Sequence, residues 1–255
     1  MLPFDEIGSG PAVVLLHAGI ADRTMWREQL APLADAGYRV LALDMPGFGE
    51  APIWEGPQAP WEDVMATLAQ LEIERAALVG NSFGGAVALR IALLAPALVS
   101  SLVLISAPSP GMADPSPRLA AVWAAETTAL EHDDIDGAVE AIVEGWTLPN
   151  APAALREHVA QMQRRALILQ TAVPNVSEAR DPLEEQPQEL AKITAPTLVA
   201  VGEHDMVDFL AAADVMAEVI PDARHELIAG AGHLAPLETP AALRRLLLDF
   251  LAEHP

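Results

Sequence analysis

The stretch that decides the fold is residues 76–94, which read AALVGNSFGGAVALRIALL. It starts with a short apolar run, Ala76–Val79, turns at Gly80-Asn81-Ser82-Phe83-Gly84-Gly85, and continues as an apolar helical pattern. A Gly-x-Ser-x-Gly turn between a strand and a helix holds its serine exposed above the sheet edge. Glycines flank the serine because bulk on either side would collide with the strand and the helix. We predict that Ser82 is a nucleophile and that the Phe83 amide faces an incoming oxyanion.

Short apolar runs alternate with helical patterns along most of the remaining chain, which is typical of βαβ units. Runs without polar alternation indicate strands that helices cover on both faces. The sequence therefore predicts an α/β fold with a doubly wound, mostly parallel sheet. The predicted strands are Val13–Leu16, Arg39–Leu43, Ala76–Val79, Leu102–Ile105, Pro196–Val201 and Leu227–Ala229. The predicted helices are Met25–Ala36 (with Thr24 as its candidate N-cap), Trp61–Leu71, Ala86–Leu94, Asp208–Val219 and Pro240–Leu251.

Residues 108–188 break this alternation, because they contain no run that predicts a strand. Helical patterns occur instead at Arg118–Leu130, Ile135–Gly145 and Pro152–Gln170, separated by turns rich in Pro and Asp. A compact domain rarely leaves so long a stretch without structure. We therefore predict a core domain formed by residues 1–107 and 189–255, with a helical cap at 108–188 inserted between two strands.

A serine nucleophile needs a general base, and the base needs an acid that orients it. When the serine follows a strand of an α/β sheet, the acid comes next in the chain and the histidine comes last. Gly230-Ala231-Gly232-His233 follows the last short strand, so His233 is the preferred base. Asp205 is the preferred acid and Asp208 is its rival, although either carboxylate could instead cap a helix.

The second oxyanion donor should come from the loop after the first core strand. His17-Ala18-Gly19-Ile20 fills that loop, and we assign the Gly19 amide, with Ala18 or Ile20 as alternatives. We interpret His17 as structural, its ring bonding nearby loop backbone, because one general base suffices.

Five motifs together resemble the α/β-hydrolase superfamily, in particular its small capped esterases, enol-lactonases and cofactor-free peroxidase-like members. They are His17-Ala18-Gly19, Asp44-Met45-Pro46-Gly47-Phe48-Gly49, Gly80-Asn81-Ser82-Phe83-Gly84-Gly85, Gly202-Glu203-His204-Asp205 and Gly230-Ala231-Gly232-His233. The resemblance runs from about Phe4 to Leu251, apart from the predicted cap, and implies Ser82, Asp205 and His233 as nucleophile, acid and base.

The chain departs from the superfamily pattern at two places. Ala18 stands where the family usually has glycine, and Glu50-Ala51 replaces a common small hydroxyl residue. A serine at the turn, rather than an aspartate, argues against the related haloalkane dehalogenases and epoxide hydrolases.

Composition restricts the classes of function and partner. The 255 residues carry a net charge of −22, so the acidic surface repels nucleic acid and anionic membranes. No run approaches the roughly 20 apolar residues of a membrane span. The first ten residues lack the basic region of a secretory signal, and we predict a cytoplasmic protein. The sequence leaves the oligomeric state open.

No cofactor or metal is predicted. Cysteine is absent, which excludes thiolate ligands, and the seven histidines are dispersed. No Gly-x-Gly-x-x-Gly motif opens the first βα unit, so no dinucleotide site is implied.

The predicted cap would shape the substrate pocket. Trp26, Trp123 and Trp146 are the candidate lining residues, although each could instead bury a helix face. Three arginines could hold a substrate carboxylate or could simply be solvated: Arg118, Arg164 and Arg165. The sequence thus predicts a hydrolase that cleaves a small, largely apolar ester or lactone through an acyl-enzyme. The alternatives are a carbon–carbon bond hydrolase or lyase on the same scaffold, and a non-catalytic protein that binds a small ligand.

Overall fold

The computed structural model describes residues 1–112 and 114–254, so Ala113 of the predicted cap and Pro255 lie outside the described residues. In the described part, no helix has the length and apolar character that crossing a membrane requires. The strands are Phe4–Gly8 (β1), Ala12–Leu16 (β2), Arg39–Leu43 (β3), Gly56–Gln58 (β4), Ala76–Asn81 (β5), Val99–Ile105 (β6), Val176–Glu178 (β7), Thr197–Gly202 (β8) and Ala223–Ile228 (β9). The α-helices are Arg27–Asp35 (α1), Pro60–Gln70 (α2), Phe83–Leu94 (α3), Pro117–Glu131 (α4), Ile135–Trp146 (α5), Ala153–Thr171 (α6), Pro182–Glu185 (α7), Val207–Val219 (α8), Ala235–Glu238 (α9) and Pro240–Glu253 (α10).

Seven strands form one sheet in the order β1-β3-β2-β5-β6-β8-β9. β1 runs antiparallel to β3, whereas the other neighbouring pairs are parallel. Strands β2, β5 and β8 are buried along their whole length, as expected where helices cover both faces of a sheet. The predicted fold class is confirmed.

The largest differences between the predicted and observed strands lie at the two edges of this sheet, whereas the central β6 starts three residues earlier than predicted. β1 was not predicted, because an edge strand with one neighbour lacks the continuous apolar run of a central strand. β9 begins at Ala223 rather than at Leu227, and its first part carries the exposed polar residues Arg224, His225 and Glu226. Polar side chains on an edge strand hide it from a search for apolar runs.

Two local predictions are corrected near α1 and within residues 108–188. The side chain of Asp22, rather than that of Thr24, caps the 3-10 turn before α1 by accepting the Thr24 N–H. Helices α4, α5 and α6 follow the predicted helical patterns, but the short strand β7 lies where no strand was predicted. β7 pairs in parallel with β4, which ties the loop after β3 to the end of this region. Residues 108–188 are called the helical segment below.

The register of the central strands brings several loops to one edge of the sheet. Leu16 of β2 pairs with Gly80 of β5, and Asn81 pairs with Ile105 of β6. The loops after these strands therefore start at the same level, where ligand sites of open α/β sheets form. Ser82 and the loop that begins at His17 both lie at this edge.

Candidate active site

Ser82 lies in a strained turn between β5 and α3. Its backbone has φ 53° and ψ −115°, and such a positive φ costs a residue with a side chain roughly 1–3 kcal/mol. The Ser82 N–H donates to the carbonyl oxygen of Ile105 at 2.8 Å, which fastens the turn to the neighbouring strand β6. Phe83, the next residue, is the first residue of α3, so its amide belongs to the helix N-terminus.

Two glycines make this turn sterically feasible. A Cβ atom on Gly80 would lie 2.2 Å from the carbonyl oxygen of Gly84, and one on Gly84 would lie 2.2 Å from that of Leu16. Both distances are far below van der Waals contact with a backbone atom that cannot move independently. The glycines predicted from the motif are therefore required by the close approach of β5, α3 and β2.

His233 and Asp205 form a buried hydrogen-bonded pair. The Nδ1 atom of His233 lies 3.1 and 3.2 Å from the two carboxylate oxygens of Asp205, which also accepts the Met206 N–H at 2.7 Å. An ionised carboxylate can only accept, so Nδ1 carries the proton and Nε2 is left as the free nitrogen. The arrangement fixes both the tautomer and the orientation of the imidazole.

Asn81 joins the His233 loop to the turn that carries Ser82. Its side-chain amide donates to the carbonyl oxygens of Ile105 at 3.0 Å and His233 at 3.1 Å. The residue directly before Ser82 therefore holds the backbone of the candidate base, although the two are far apart in sequence.

Two aromatic rings enclose the imidazole of His233. The ring centroids of Trp146 and Phe209 lie 4.5 and 4.3 Å from that of His233. Trp146 is the last residue of α5, so the helical segment contributes directly to the surroundings of the imidazole. Of the three predicted pocket tryptophans, Trp146 is the one found against His233.

Asp208, the rival of Asp205, and the nearby Glu203 both bind other partners. Asp208 accepts the Ser116 N–H at 2.7 Å and the Ser116 hydroxyl at 2.6 Å, at the N-terminus of α4. Burial alone would raise the pKa of Asp208, but the bonds from Ser116 outweigh burial and the pKa is lowered. Glu203 points away and accepts the Gly230 N–H at 2.9 Å. Within residues 1–112 and 114–254, no three His, Asp or Glu side chains cluster as metal ligands.

Glu238 is a member of the site that the sequence did not reveal. Its carboxylate accepts the N–H groups of Gly232 at 2.7 Å and Leu234 at 3.2 Å, on both sides of His233. It also accepts the Leu148 N–H of the helical segment at 3.3 Å. Burial raises the pKa of Glu238, and these bonds offset the rise only in part. Its one signal in the sequence is a carboxylate that follows the apolar residues 234–237.

The loop after β2 packs against the start of α3. A Cβ atom on Gly19 would lie 3.4 Å from the Cβ atom of Phe83, so the two residues assigned as oxyanion donors are neighbours. His17 is buried, its Nδ1 donates to the Ala18 carbonyl at 2.8 Å, and its Nε2 accepts the Met45 N–H at 2.9 Å. Burial lowers the pKa of His17, consistent with a neutral ring that ties two loops together.

A cavity of about 360 Å³ lies beside Phe83, where the loop after β3, helix α3 and the helical segment meet. None of the three predicted tryptophans lines it: Trp26 is fully buried in the core, Trp123 on α4 is 46% exposed, and Trp146 packs on His233 instead. The aromatic side chains that do line it are Phe48, Trp61 and Phe83. Phe48 and Trp61 could not be assigned to a pocket from the sequence, because they lie in the loop and helix after β3 and not in the predicted cap.

The three arginines considered for a substrate carboxylate are exposed and also lie outside this cavity. Arg164 pairs with Asp136, and Arg165 lies 3.6 Å from Asp22. Arg118 is directed to the Gly145 carbonyl at 3.5 Å. The structure does not bring these guanidinium groups to Ser82 and His233.

Comparison with known proteins places this geometry in a family. A model described as "Alpha/beta hydrolase family" matches residues 13–246. The chain belongs to the α/β-hydrolase family. It is 28% identical over 283 residues to a 2-hydroxy-6-oxo-6-phenylhexa-2,4-dienoate hydrolase of Comamonas testosteroni, covering 100% of this chain and 92% of that protein. It is 31% identical over 257 residues to a putative carbamate hydrolase of Variovorax paradoxus (strain S110), covering 95% and 94%.

Solved structures agree with this assignment. A thermophilic esterase from Thermogutta terrifontis matches with a TM-score of 0.81 at 25% identity, covering 100% of this chain and 94% of the esterase. The predicted superfamily is therefore confirmed, and this α/β-hydrolase is a hydrolase enzyme. The three relatives are named as hydrolases of different substrates, so the bond that this enzyme cleaves must be argued from its own site.

Proposed function

We propose that this α/β-hydrolase cleaves a carboxylic ester or lactone of a small, largely apolar molecule through an acyl-enzyme. The observation that carries the proposal is the buried Asp205–His233 pair, which Asn81 bonds directly to the strained turn of Ser82. A serine held at a helix N-terminus, with a histidine whose tautomer is fixed by a carboxylate, is the arrangement that acyl transfer uses.

In the first step, the Ser82 Oγ attacks the carbonyl carbon and the free Nε2 of His233 accepts the hydroxyl proton. The carbonyl oxygen becomes an oxyanion, for which the amides of Gly19 and Phe83 are the proposed donors. Collapse of this intermediate breaks the ester bond. The leaving oxygen takes the proton from His233, and the acyl group remains on Ser82. In a lactone the leaving alcohol stays attached to the acyl chain.

In the second step, a water molecule gives a proton to His233 and attacks the acyl carbon. The same donors hold the second oxyanion, and Ser82 regains its proton from His233 as the acid departs. Asp205 stays ionised throughout, so it stabilises the imidazolium formed in each step. The rings of Trp146 and Phe209 shield this ion pair from water and so strengthen it.

A carbon–carbon bond hydrolase is the second candidate. The Comamonas relative, a 2-hydroxy-6-oxo-6-phenylhexa-2,4-dienoate hydrolase, aligns with the whole chain and would act on a carbon–carbon bond. That reaction would use the same serine but release a carbon acid in place of an alcohol. The esterase of known structure and the largely apolar cavity beside Phe83 favour the ester reaction. Product analysis after incubation with a β-diketone-type substrate distinguishes the two, because only a carbon–carbon hydrolase releases a ketone from it.

The first prediction concerns Ser82 itself. Incubation with a fluorophosphonate should attach one phosphonyl group to Ser82, located by peptide mass spectrometry, and should abolish turnover of short p-nitrophenyl esters. Ser106→Ala is a matched control, because Ser106 also has a positive φ of 48° at the end of a neighbouring strand. The Ser106→Ala protein should be labelled like the wild type, and Ser82→Ala should not.

Folded protein that remains unlabelled at Ser82 would contradict the proposal. Ester turnover that survives in Ser82→Ala would do so as well, because hydrolysis would then proceed without the acyl-enzyme.

A further inference from the structure

One face of α3 forms a wall of the cavity beside Phe83. Phe83, Val87 and Arg90 line it, and their spacing of four and three positions places them on the same side of the helix. At a rise of 1.5 Å per residue, the backbone advances about 10 Å from Phe83 to Arg90. Phe48 packs on Phe83, with ring centroids 5.7 Å apart, and continues this wall. Phe83, the residue after Ser82, thus lies at one end of this helix face and Arg90 at the other, whereas Ser82 and His233 are not among the residues that line the cavity.

The end of the cavity at Arg90 is polar but offers no free cation. The buried Arg90 guanidinium donates from Nε and Nη2 to Asp181, from Nη2 to Glu184 and from Nη1 to the Ala86 carbonyl, at 2.9, 2.5, 3.2 and 3.1 Å. Each guanidinium nitrogen is therefore engaged. A carboxylate that entered this end would have to displace Asp181 or Glu184 from the guanidinium.

Carboxylates outnumber the guanidinium in the cavity wall. Asp181, Glu184 and Glu178 face a single basic side chain among the lining residues. The charge carried by the lining side chains is thus negative before any ligand enters, and it matches the acidic character of the whole chain. Because like charges at close range repel, this lining disfavours an anionic group and tolerates a neutral or cationic one.

We propose that the cavity receives the apolar arm of the substrate, and that its carboxylates select arms that end in a neutral or cationic group over arms that end in a carboxylate. This inference rests on the proposed ester hydrolysis at Ser82, whose carbonyl would lie at the Phe83 end. The inferred substrate class is an ester with one long apolar arm whose far end is uncharged or cationic. Ala86, which lines the cavity one turn after Ser82, is then a residue that limits the length of this arm.

The test uses a set of esters of the same alcohol. Three have acyl arms of equal length that end in methyl, trimethylammonium or carboxylate, and the fourth, the acetate, is the short reference. A mirrored set changes the alcohol arm and keeps the acetyl group. In at least one set, kcat/KM for the carboxylate arm should be about tenfold below that of the other two. Equal kcat/KM for the three arms in both sets would overturn the proposed selection.

Two variants locate the effect in the cavity. Ala86→Leu adds volume to the wall, so the ratio of kcat/KM for the long neutral ester to that for the acetate should fall about tenfold. Ala217→Leu is the matched control, a half-buried alanine on α8 that does not line the cavity, and it should keep the wild-type ratio. An unchanged ratio in folded Ala86→Leu protein would place the arm elsewhere.

The charge is tested with a smaller change. Glu178→Gln removes one lining carboxylate and should reduce the discrimination against the carboxylate arm about threefold, whereas Glu140→Gln on α5 should not. Discrimination that is identical in Glu178→Gln and wild type would contradict the role of this carboxylate.

Binding separates this inference from the proposed function. Calorimetric titration of the three long esters into Ser82→Ala measures affinity without turnover, and the carboxylate arm should bind about tenfold more weakly. If wild-type protein is labelled at Ser82 and cleaves acetate but shows no preference among arms, only the inference about the cavity is wrong. If no ester is cleaved but the affinities differ as expected, the proposed reaction is wrong and the cavity assignment stands.

Discussion

The two sides of Ser82 are built from different kinds of contact. On the side of His233, polar groups meet defined partners: Asp205 binds the imidazole, Asn81 binds the backbone, and Glu238 binds the amides before and after His233. On the side of Phe83, apolar rings and aliphatic side chains make up most of an open cavity, and Asp181 and Glu184 bind Arg90 in its lining.

This difference suggests separate tasks for the two sides: the His233 side for the proposed bond cleavage, and the Phe83 side for the choice among substrates. Hydrogen bonds fix an atom within tenths of an ångström, which proton transfer requires, whereas apolar walls accept any group of suitable size. Changes on the His233 side should therefore alter turnover of all esters alike. Changes on the Phe83 side should alter the ranking of esters.

The largest expected effect comes from Asp205→Asn. An asparagine can present its amide N–H to Nδ1, which favours the tautomer with the proton on Nε2 and deprives Ser82 of its proposed base. We expect kcat to fall about 10⁴-fold for the short and the long esters alike. Steady-state kinetics with the acetate and the long neutral ester measure both values.

Asp208→Asn is the matched control, because this carboxylate follows the same strand but binds Ser116. It should lose less than about threefold in kcat, since its bonds to Ser116 contribute to stability rather than to chemistry. Equal losses in the two variants, or a loss in Asp205→Asn that depends strongly on the ester, would remove the contrast between the two sides.

Glu238→Gln should have an intermediate effect. Glutamine keeps one acceptor oxygen but turns an NH₂ group towards N–H donors, so at least one of the bonds to Gly232, Leu234 and Leu148 is lost. Losing a bond to a charged acceptor costs about 1.5–3 kcal/mol, which should appear as a lower free energy of unfolding in urea titration. We expect kcat to fall about fivefold with little change in the ranking of esters.

Glu203→Gln provides the comparison for Glu238. Glu203 is half exposed and binds only the Gly230 N–H among these loop amides, so its variant should stay within about twofold of wild-type kcat. If both variants behave alike, the bonds around His233 do not position the imidazole.

The smallest effect concerns the protonation of His17 on the Phe83 side. Burial lowers its pKa from the ordinary 6.5, so the folded protein favours the neutral ring. The contribution of His17 to stability is therefore full above about pH 6.5 and declines as the pH falls from there towards the folded-state pKa. Nitrogen-15 NMR should show the Nδ1-protonated neutral tautomer unchanged between pH 8 and 6.5, with the signal assigned by its loss in His17→Gln.

A His17 ring that gains its second proton above pH 6.5 would contradict this expectation. It would also mean that the Met45 N–H no longer has its acceptor, because both ring nitrogens of an imidazolium are donors.

The central fold could be predicted because the steric rules that govern it are local. The apolar runs of β2, β3 and β5 and the glycines around Ser82 each express one requirement, burial or close approach, within a few residues. The pair β4 and β7 could not be predicted, because each strand is three residues long and exists only through contact with the other.

The candidate site divides in the same way. Asp205 and His233 follow predicted strands, so topology alone brought them into consideration, although only the structure shows that Asp205 rather than Asp208 bonds the imidazole. Glu238 and the cavity wall at Trp61 and Asp181 depend on contacts between residues distant in sequence. The periodicity of the sequence does not reveal contacts between distant residues. Tryptophans chosen from helical patterns therefore did not identify the residues that line the cavity.

The amide of Asn81 sets an order of events for a chain that is made from its N-terminus. This side chain bonds a carbonyl 24 residues ahead at Ile105 and another 152 residues ahead at His233. The first partner is available as soon as β6 forms, whereas the second exists only after residue 233 has been synthesised and has folded back across the sheet. In the proposed mechanism, a growing chain therefore has the turn of Ser82 in place for most of its synthesis, and Ser82 gains its proposed base only near the end.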